Sequence, residues 1–281
     1  MKVAVTAANG QLGSTIVNQL INEIGRENVI GIARTPTKAS HLAIQLRQGD
    51  YNNRQEFDKA LIGVDVLLLI SGMDDPQKRI QQHRNIIEAA KQNKVRKIVY
   101  TSIIGEENRT AFSPIVRSNR QTEKDIQDSG LQWAIGRNGI YIEPDLEYID
   151  EYKRMGEIVN CAENGKCGYT SRSELAIAYT QLLLNDNLNG QIYNLAGKPI
   201  SQSELADFLN QAYLTNLSYR SVSVADYEKD RKEALGDFIG GVIAGIYEGI
   251  QIGAYDKNSD FEKIVNRPHK SVIAMMADYI K

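Results

Sequence analysis

Thr6, Ala8, Asn9, Gly10, Gln11, Leu12 and Gly13 belong to a run of small and polar residues that follows the apolar segment Val3-Ala4-Val5 and leads into the amphipathic pattern Ser14-Thr15-Ile16-Val17. A chain that leaves a buried strand and enters a helix presents unpaired backbone N–H groups and the positive end of a helix dipole, which together hold a pyrophosphate. The spacing predicts a helix opening at Ser14, with Gly10 and Gly13 where a Cβ would block a dinucleotide or the helix–sheet contact. Ala7 stands at the first position of what would otherwise be Gly-x-x-Gly-x-x-Gly. An ordinary strand-to-helix turn produces the same glycine pair, so the motif alone assigns no ligand.

The next strand sharpens the reading. Val29-Ile30-Gly31-Ile32-Ala33 ends at Arg34, about twenty residues after the glycines, where NAD-binding chains usually carry an acid for the ribose 2′-hydroxyl. No Asp or Glu lies between Val29 and Lys38. Arg34 and Lys38 instead place two cations where a 2′-phosphate would sit, and a guanidinium grips phosphate through two parallel hydrogen bonds. NADP(H) is the expected cofactor, although a solvated loop would also carry such residues.

Apolar and amphipathic segments alternate through the first two-thirds of the chain. Strands are expected at Val64 to Ile70, Lys97 to Ser102, Leu131 to Ile135 and Ile192 to Leu195, with helices at Arg54 to Leu61, His83 to Lys91, Thr122 to Asp128 and Glu174 to Leu184. Unbroken apolar strands flanked by helices indicate an α/β fold: a doubly wound parallel sheet of the NAD(P)-binding Rossmann kind, with ligands at the carboxyl ends of its strands. Those ends include Asp50, able to accept from an adenine amino group, Ser71-Gly72, where backbone can approach a ribose, and Asn138 to Tyr141.

Length and composition fit a globular chain with one large domain and a smaller lobe: 281 residues, 42% hydrophobic and 24% charged. The expected division is residues 1–140 with 170–197 for the Rossmann domain and 141–169 with 198–281 for the smaller C-terminal, substrate-side lobe. A net charge of −2 without a basic cluster argues against nucleic acid. No export signal is visible, so a cytoplasmic location is expected. Cys161 and Cys167, without a nearby histidine, read as plain thiols, and His41 and His269 lack partners at metal-ligand spacing. Ser201-x-x-Glu204 is a capping box. Gly241, Gly245, Gly249 and Gly253 recur every four residues, which predicts a helix with a bare face packed on another helix or lying over a pocket. The Glu248 and Gln251 interruptions argue against a membrane span.

Taken together, these segments resemble the NmrA-like branch of the atypical short-chain dehydrogenase/reductases, and within it the NADPH-dependent quinone oxidoreductase group. The resemblance is carried by Thr6 to Gly13, Gly49-Asp50-Tyr51, Leu67 to Ser71, Gln82 to Asn85, Tyr100-Thr-Ser102, Thr122-Glu123, Arg137 to Tyr141, Asn194 to Gly197 and Arg267-Pro268. It implies that Arg137, Asn138, Gly139, Tyr141 and Arg172 join the turn and Arg34 in contacting the cofactor, and that a quinone-like small-molecule acceptor enters a cleft between the two lobes. A homodimer is the open oligomeric reading. Asn119 replaces a His common in relatives, and no Tyr has a Lys four residues later, so the usual Tyr-x-x-x-Lys carbonyl chemistry is not expected. Quinone reduction asks less of the protein, since hydride addition yields a phenolate-like anion that one donor or solvent can protonate. Tyr141 and Asn138 are the catalytic candidates, orienting quinone or nicotinamide; His83 reads as a structural residue near a helix start rather than an acid. An NADP(H) sensor that binds without turnover is the alternative.

Overall fold

Alternation of apolar residues decides how the first half of the chain packs. In this computed structural model, which describes residues 1–280, the first six strands are β1 (Val3–Val5), β2 (Val29–Ala33), the polar edge strand β3 (Gln45–Gln48), β4 (Val66–Ile70), β5 (Lys97–Ile103) and β6 (Gln132–Asn138). Between them lie α1 (Gln11–Ile24), α2 (Arg54–Ala60), α3 (Pro76–Gln92) and α4 (Ser113–Gln127). After β6 the chain makes an excursion through β7 (Ile140–Tyr141), α5 (Glu143–Glu147), α6 (Ile149–Met155), β8 (Glu157–Asn160) and β9 (Lys166–Thr170). It returns through α7 (Arg172–Leu184) to β10 (Ile192–Leu195).

The main sheet is parallel throughout and ordered β10-β6-β5-β4-β1-β2-β3. Side chains on a strand point to opposite faces in turn. Val3, Val5, Val66, Leu68 and Ala134 therefore meet Ile16, Val17 and Leu20 of α1 and Leu175 and Leu182 of α7 on one side. Ala4, Ile30, Ile32, Leu67 and Ile98 meet Phe57, Ile86, Ile87 and Ile126 of α2, α3 and α4 on the other. Both faces are covered, which is why these strands are continuously apolar. All carboxyl ends share one edge, and the order reverses beside β1, opening the crevice in which doubly wound sheets bind ligands.

Several boundaries differ from the sequence reading. The first helix opens at Gln11, three residues before the expected Ser14, because Gly10 is already extended and serves as its N-cap. β6 continues through Gly136, Arg137 and Asn138, where β10 pairs with it. Helices α3 and α4 begin well before His83 and Thr122, and their first two turns bury the polar Arg79, Gln82, Ser118 and Asn119, which obscures an apolar stripe.

The remaining chain forms β11 (Pro199–Ser201), α8 (Gln202–Tyr213), β12 (Ser218–Ser221), α9 (Val224–Leu235), α10 (Asp237–Gln251), α11 (Phe261–Val265) and α12 (Val272–Ile280). Two small sheets, β11-β9-β7 and β12-β8, support it, and the Ser201–Glu204 capping box is present. In α10 the glycines Gly240, Gly241, Gly245 and Gly249 are buried, whereas Gly253 lies beyond the helix. A Cβ on Gly245 would overlap the backbone of Ala111 and Phe112. Backbone cannot yield as a side-chain tip can, so Gly245→Val is expected to cost at least about 2 kcal/mol; a denaturant midpoint lowered accordingly is the check. Among the described residues no helix is long and apolar enough to cross a membrane. Cys161 and Cys167 are free, buried thiols.

Candidate cofactor and substrate site

The turn after β1 is shaped by Ala7, which takes φ +47°, the left-handed region that glycine adopts at less cost. That conformation aims the Ala7 carbonyl back over the helix start, where it accepts from Gly10 N at 2.9 Å. A Cβ on Gly13 would overlap that carbonyl, so Gly13 is required by packing beneath the turn. Unlike α2, α3, α7, α8 and α9, α1 has no side-chain cap. The N–H groups of its first turn are the open donors that a pyrophosphate needs. Asn9, Gly10 and Gln11 face solvent with Leu12 half-buried. Thr6 and Ala8 correct the sequence reading, for both are wholly buried. Thr6 Oγ1 accepts from Ile70 N at 2.9 Å and lies 2.6 Å from the Tyr51 hydroxyl, so it ties β1 to β4 rather than meeting a ligand.

Along the carboxyl edge, Arg34 and Lys38 are exposed, and among the described residues neither guanidinium nor ammonium has an ion-pair partner. Asp50 is partly engaged, its Oδ1 accepting from Asn52 N and Nδ2 at 2.9 and 3.0 Å. Ser71 Oγ donates to Asn119 Oδ1 at 3.2 Å, and Gly72 N donates to His83 Nε2 at 3.0 Å. Asn119 is buried, accepts from the Tyr100 hydroxyl at 2.7 Å and donates to Ile115 O. It positions Ser71 and Tyr100.

His83 lies inside α3, not near its start, and is fully buried. With Nε2 accepting from Gly72, Nδ1 carries the proton toward Thr122 Oγ1 at 2.8 Å. Burial, with Arg79 adding repulsion, pulls the imidazole down to about 3. The unfolded ring takes up a proton as pH falls below about 6.5 while the folded ring stays neutral, so stability from this group is complete above that pH and drains away toward pH 3. Between pH 7 and pH 4 the loss is about 3 kcal/mol, and His83→Gln is expected to remove that part of the slope in unfolding free energy measured across this range.

Arg137, an expected cofactor contact, spends its guanidinium on Glu123, with Nε and Nη2 donating at 2.9 and 2.5 Å. Arg120 and the Ser102 hydroxyl bond to the same carboxylate, so Arg137 serves a buried ionic cluster. At the next residue the chain assembles something different. Tyr179, from the middle of α7, donates to Asn138 Oδ1 at 2.6 Å, and Asn138 Nδ2 donates to the Tyr141 hydroxyl at 2.9 Å. Arg172, in the first turn of α7, stands 6.0 Å from the Tyr141 ring centroid. Its backbone N–H donates to Glu143 Oε1 at 2.7 Å, while Glu143 Oε2 is buried without a partner. Gly139 lies beside Tyr141, pressed against Gly168 and Ala196.

Asn138, Gly139 and Tyr141 open onto a cavity of about 950 Å³ whose far wall comes from α5, α6, α9 and α10. The cavity is lined largely by apolar and aromatic side chains. Burial pushes the Tyr141 hydroxyl up to about 12, so it remains a protonated phenol. Tyr179 and Asp145 are the residues that sequence reasoning missed. Tyr179 is hidden in an apolar helix, and Asp145 resembles any acid that follows a proline at a helix start.

The residues fit a dinucleotide: an uncapped helix start, an uncommitted basic pair, and an orphaned buried acceptor on Glu143. Residues 7–186 match the NAD(P)H-binding family. The chain belongs to that family. It is 31% identical to quinone oxidoreductase 2 of Escherichia coli (strain K12) over 95% of this chain and 94% of that protein. The crystal structure of an NADPH-dependent quinone oxidoreductase from Escherichia coli complexed with NADPH is 29% identical, with a TM-score of 0.91 and 99% and 100% of the two chains covered. The Citrobacter sp. triphenylmethane reductase complexed with NADP(H) is 28% identical, also with a TM-score of 0.91, over 99% of each chain.

Proposed function

We propose that this chain is a cytoplasmic reductase that uses NADPH to reduce a quinone or a similar small electrophile. Residues 1–140 with 170–197 would carry the cofactor, and 141–169 with 198–281 the acceptor side. The α1 N-terminus, Asn9 to Gly13, would hold the pyrophosphate, Arg34 and Lys38 the 2′-phosphate, and Asn138, Tyr141, Arg172 and Glu143 the nicotinamide end. Bound there, the dihydronicotinamide supplies a hydride.

The chain's own contribution is the Tyr179–Asn138–Tyr141 series, the observation that carries this reading. In the amide orientation of this structure the Tyr179 hydroxyl, which also lies 3.0 Å from Gly136 O, donates to the Asn138 amide oxygen. The amide N–H then fills an acceptor site on the Tyr141 oxygen, leaving the phenol proton free for an acceptor's oxygen. A neutral phenol is the right donor for an anion that forms only on reduction. Apolar side chains of the lining, Ile103, Ile104 and Ile140 among them, would lower the local dielectric and strengthen that bond.

The test is NADPH oxidation by the purified protein with and without a small naphthoquinone, with NADH as control. Quinone-dependent oxidation, faster with NADPH, is expected. Binding of NADPH with no turnover of any acceptor would replace this reading with a sensor.

A further inference from the structure

Asp145 stands in the wall of the cavity with no cation beside it. It is 5% exposed, and its Oδ1 accepts from the Tyr152 hydroxyl at 2.8 Å. The Tyr169 hydroxyl, which accepts from Gln202 Nε2 at 3.2 Å, lies close to this carboxyl. Among the described residues no Lys, Arg or His forms an ion pair with Asp145. The arginines of the cavity wall are already spent: Arg154 pairs with Glu151, Arg220 with Glu157 at 2.7 Å, and Arg231 with Asp230. Asp226, the other acid of the lining outside those arginine pairs, is exposed and accepts from Ser223. The lining therefore carries a negative excess, and its deepest part is a single uncompensated carboxyl.

Around that carboxyl the wall is aromatic. Tyr152 bonds to it directly, and the Tyr227 and Tyr247 rings stand edge to face at 5.4 Å. Buried charge without a partner is costly, and a ring face attracts positive charge, so both features favour the same kind of ligand.

We propose that Asp145 sets acceptor specificity: it selects conjugated acceptors carrying a protonated or N–H-bearing nitrogen, received by the carboxyl and the tyrosine faces, and it rejects anionic acceptors. This rests on the reductase reading above. Burial raises the carboxyl to about 6, which leaves it ionised in mildly alkaline buffer.

Three naphthoquinones differing only in one side chain, 2-aminoethyl, ethyl or 2-sulfonatoethyl, provide the test at pH 8 with NADPH. In the wild type, kcat/KM is expected to fall in that order, with the ammonium and sulfonate compounds separated by at least about 30-fold. In Asp145→Asn the separation is expected to shrink below about threefold, while NADPH affinity stays unchanged. Absence of a charge order in the wild type, or an undiminished separation in the variant, overturns the proposal. Should Asp145→Asn fail to fold by circular dichroism, Asp145→Ser takes its place under the same criterion. Calorimetric binding of the three hydroquinone dimethyl ethers to the NADP⁺-loaded protein reads the same order without turnover. A protein that oxidises no NADPH yet binds them in this order fails as a reductase and keeps the assignment of Asp145.

Discussion

Arg34→Glu is expected to weaken NADPH binding about 100-fold while leaving NADH binding within about threefold of the wild type. The guanidinium is exposed at the carboxyl end of β2, one strand from the glycine turn. An uncommitted cation loses nothing within the protein when it turns to a phosphate. A bidentate grip on a dianion makes the strongest hydrogen bonds available to a side chain, and a carboxylate in its place adds repulsion. Lys38→Ala, removing a point charge on a longer tether, should cost about tenfold or less. Isothermal titration with both cofactors checks this. If the ratio of the two affinities is unchanged in Arg34→Glu, the phosphate lies elsewhere.

Tyr141→Phe should lower kcat about 100-fold with little change in KM, the pattern left when a donor acts mainly in the transition state. Tyr179→Phe should lower it less, because it removes only the group that holds the Asn138 amide in orientation. With the Tyr141 phenol held near 12 by burial, no limb from its ionisation should appear in kcat below about pH 10. Steady-state kinetics over pH 6–10 with a saturating quinone separates these outcomes. A Tyr141→Phe enzyme of wild-type kcat would assign protonation to solvent.

How much of this was legible in the sequence depended on what each segment packs against. Strands buried on both faces are apolar throughout, so β1, β2, β4 and β5 announced themselves. The opening halves of α3 and α4 did not, because they bury polar side chains such as Gln82, bonded to Asn52 and Asp74, and Asn119, bonded to Ser71 and Tyr100. The open helix start was visible through Gly10 and Gly13, whose need is local. Thr6 and Arg137 were misleading for the opposite reason. One is bound to Tyr51 and Ile70, the other to Glu123, and such distant partners leave no trace in spacing. Asn138 and Tyr141 were named by position, whereas Tyr179, which bonds to Asn138, lies 41 residues from it.

The placement of β10 bears on how the chain reaches this state. The strand that completes the sheet pairs with β6 only after residues 139–191 have formed the excursion between them. During synthesis the β6 edge, with its unpaired N–H and C=O groups, therefore stays open while that excursion emerges. Because the contact is long in sequence and parallel, its closure is expected to be slow and late, opposed by the entropy of gathering the intervening loop. Those intervening residues include Tyr141 and Tyr179, so closing the sheet would also align the phenol proposed as the proton donor. A nascent chain halted before Ile192 would hold a largely formed nucleotide crevice beside an exposed, aggregation-prone strand.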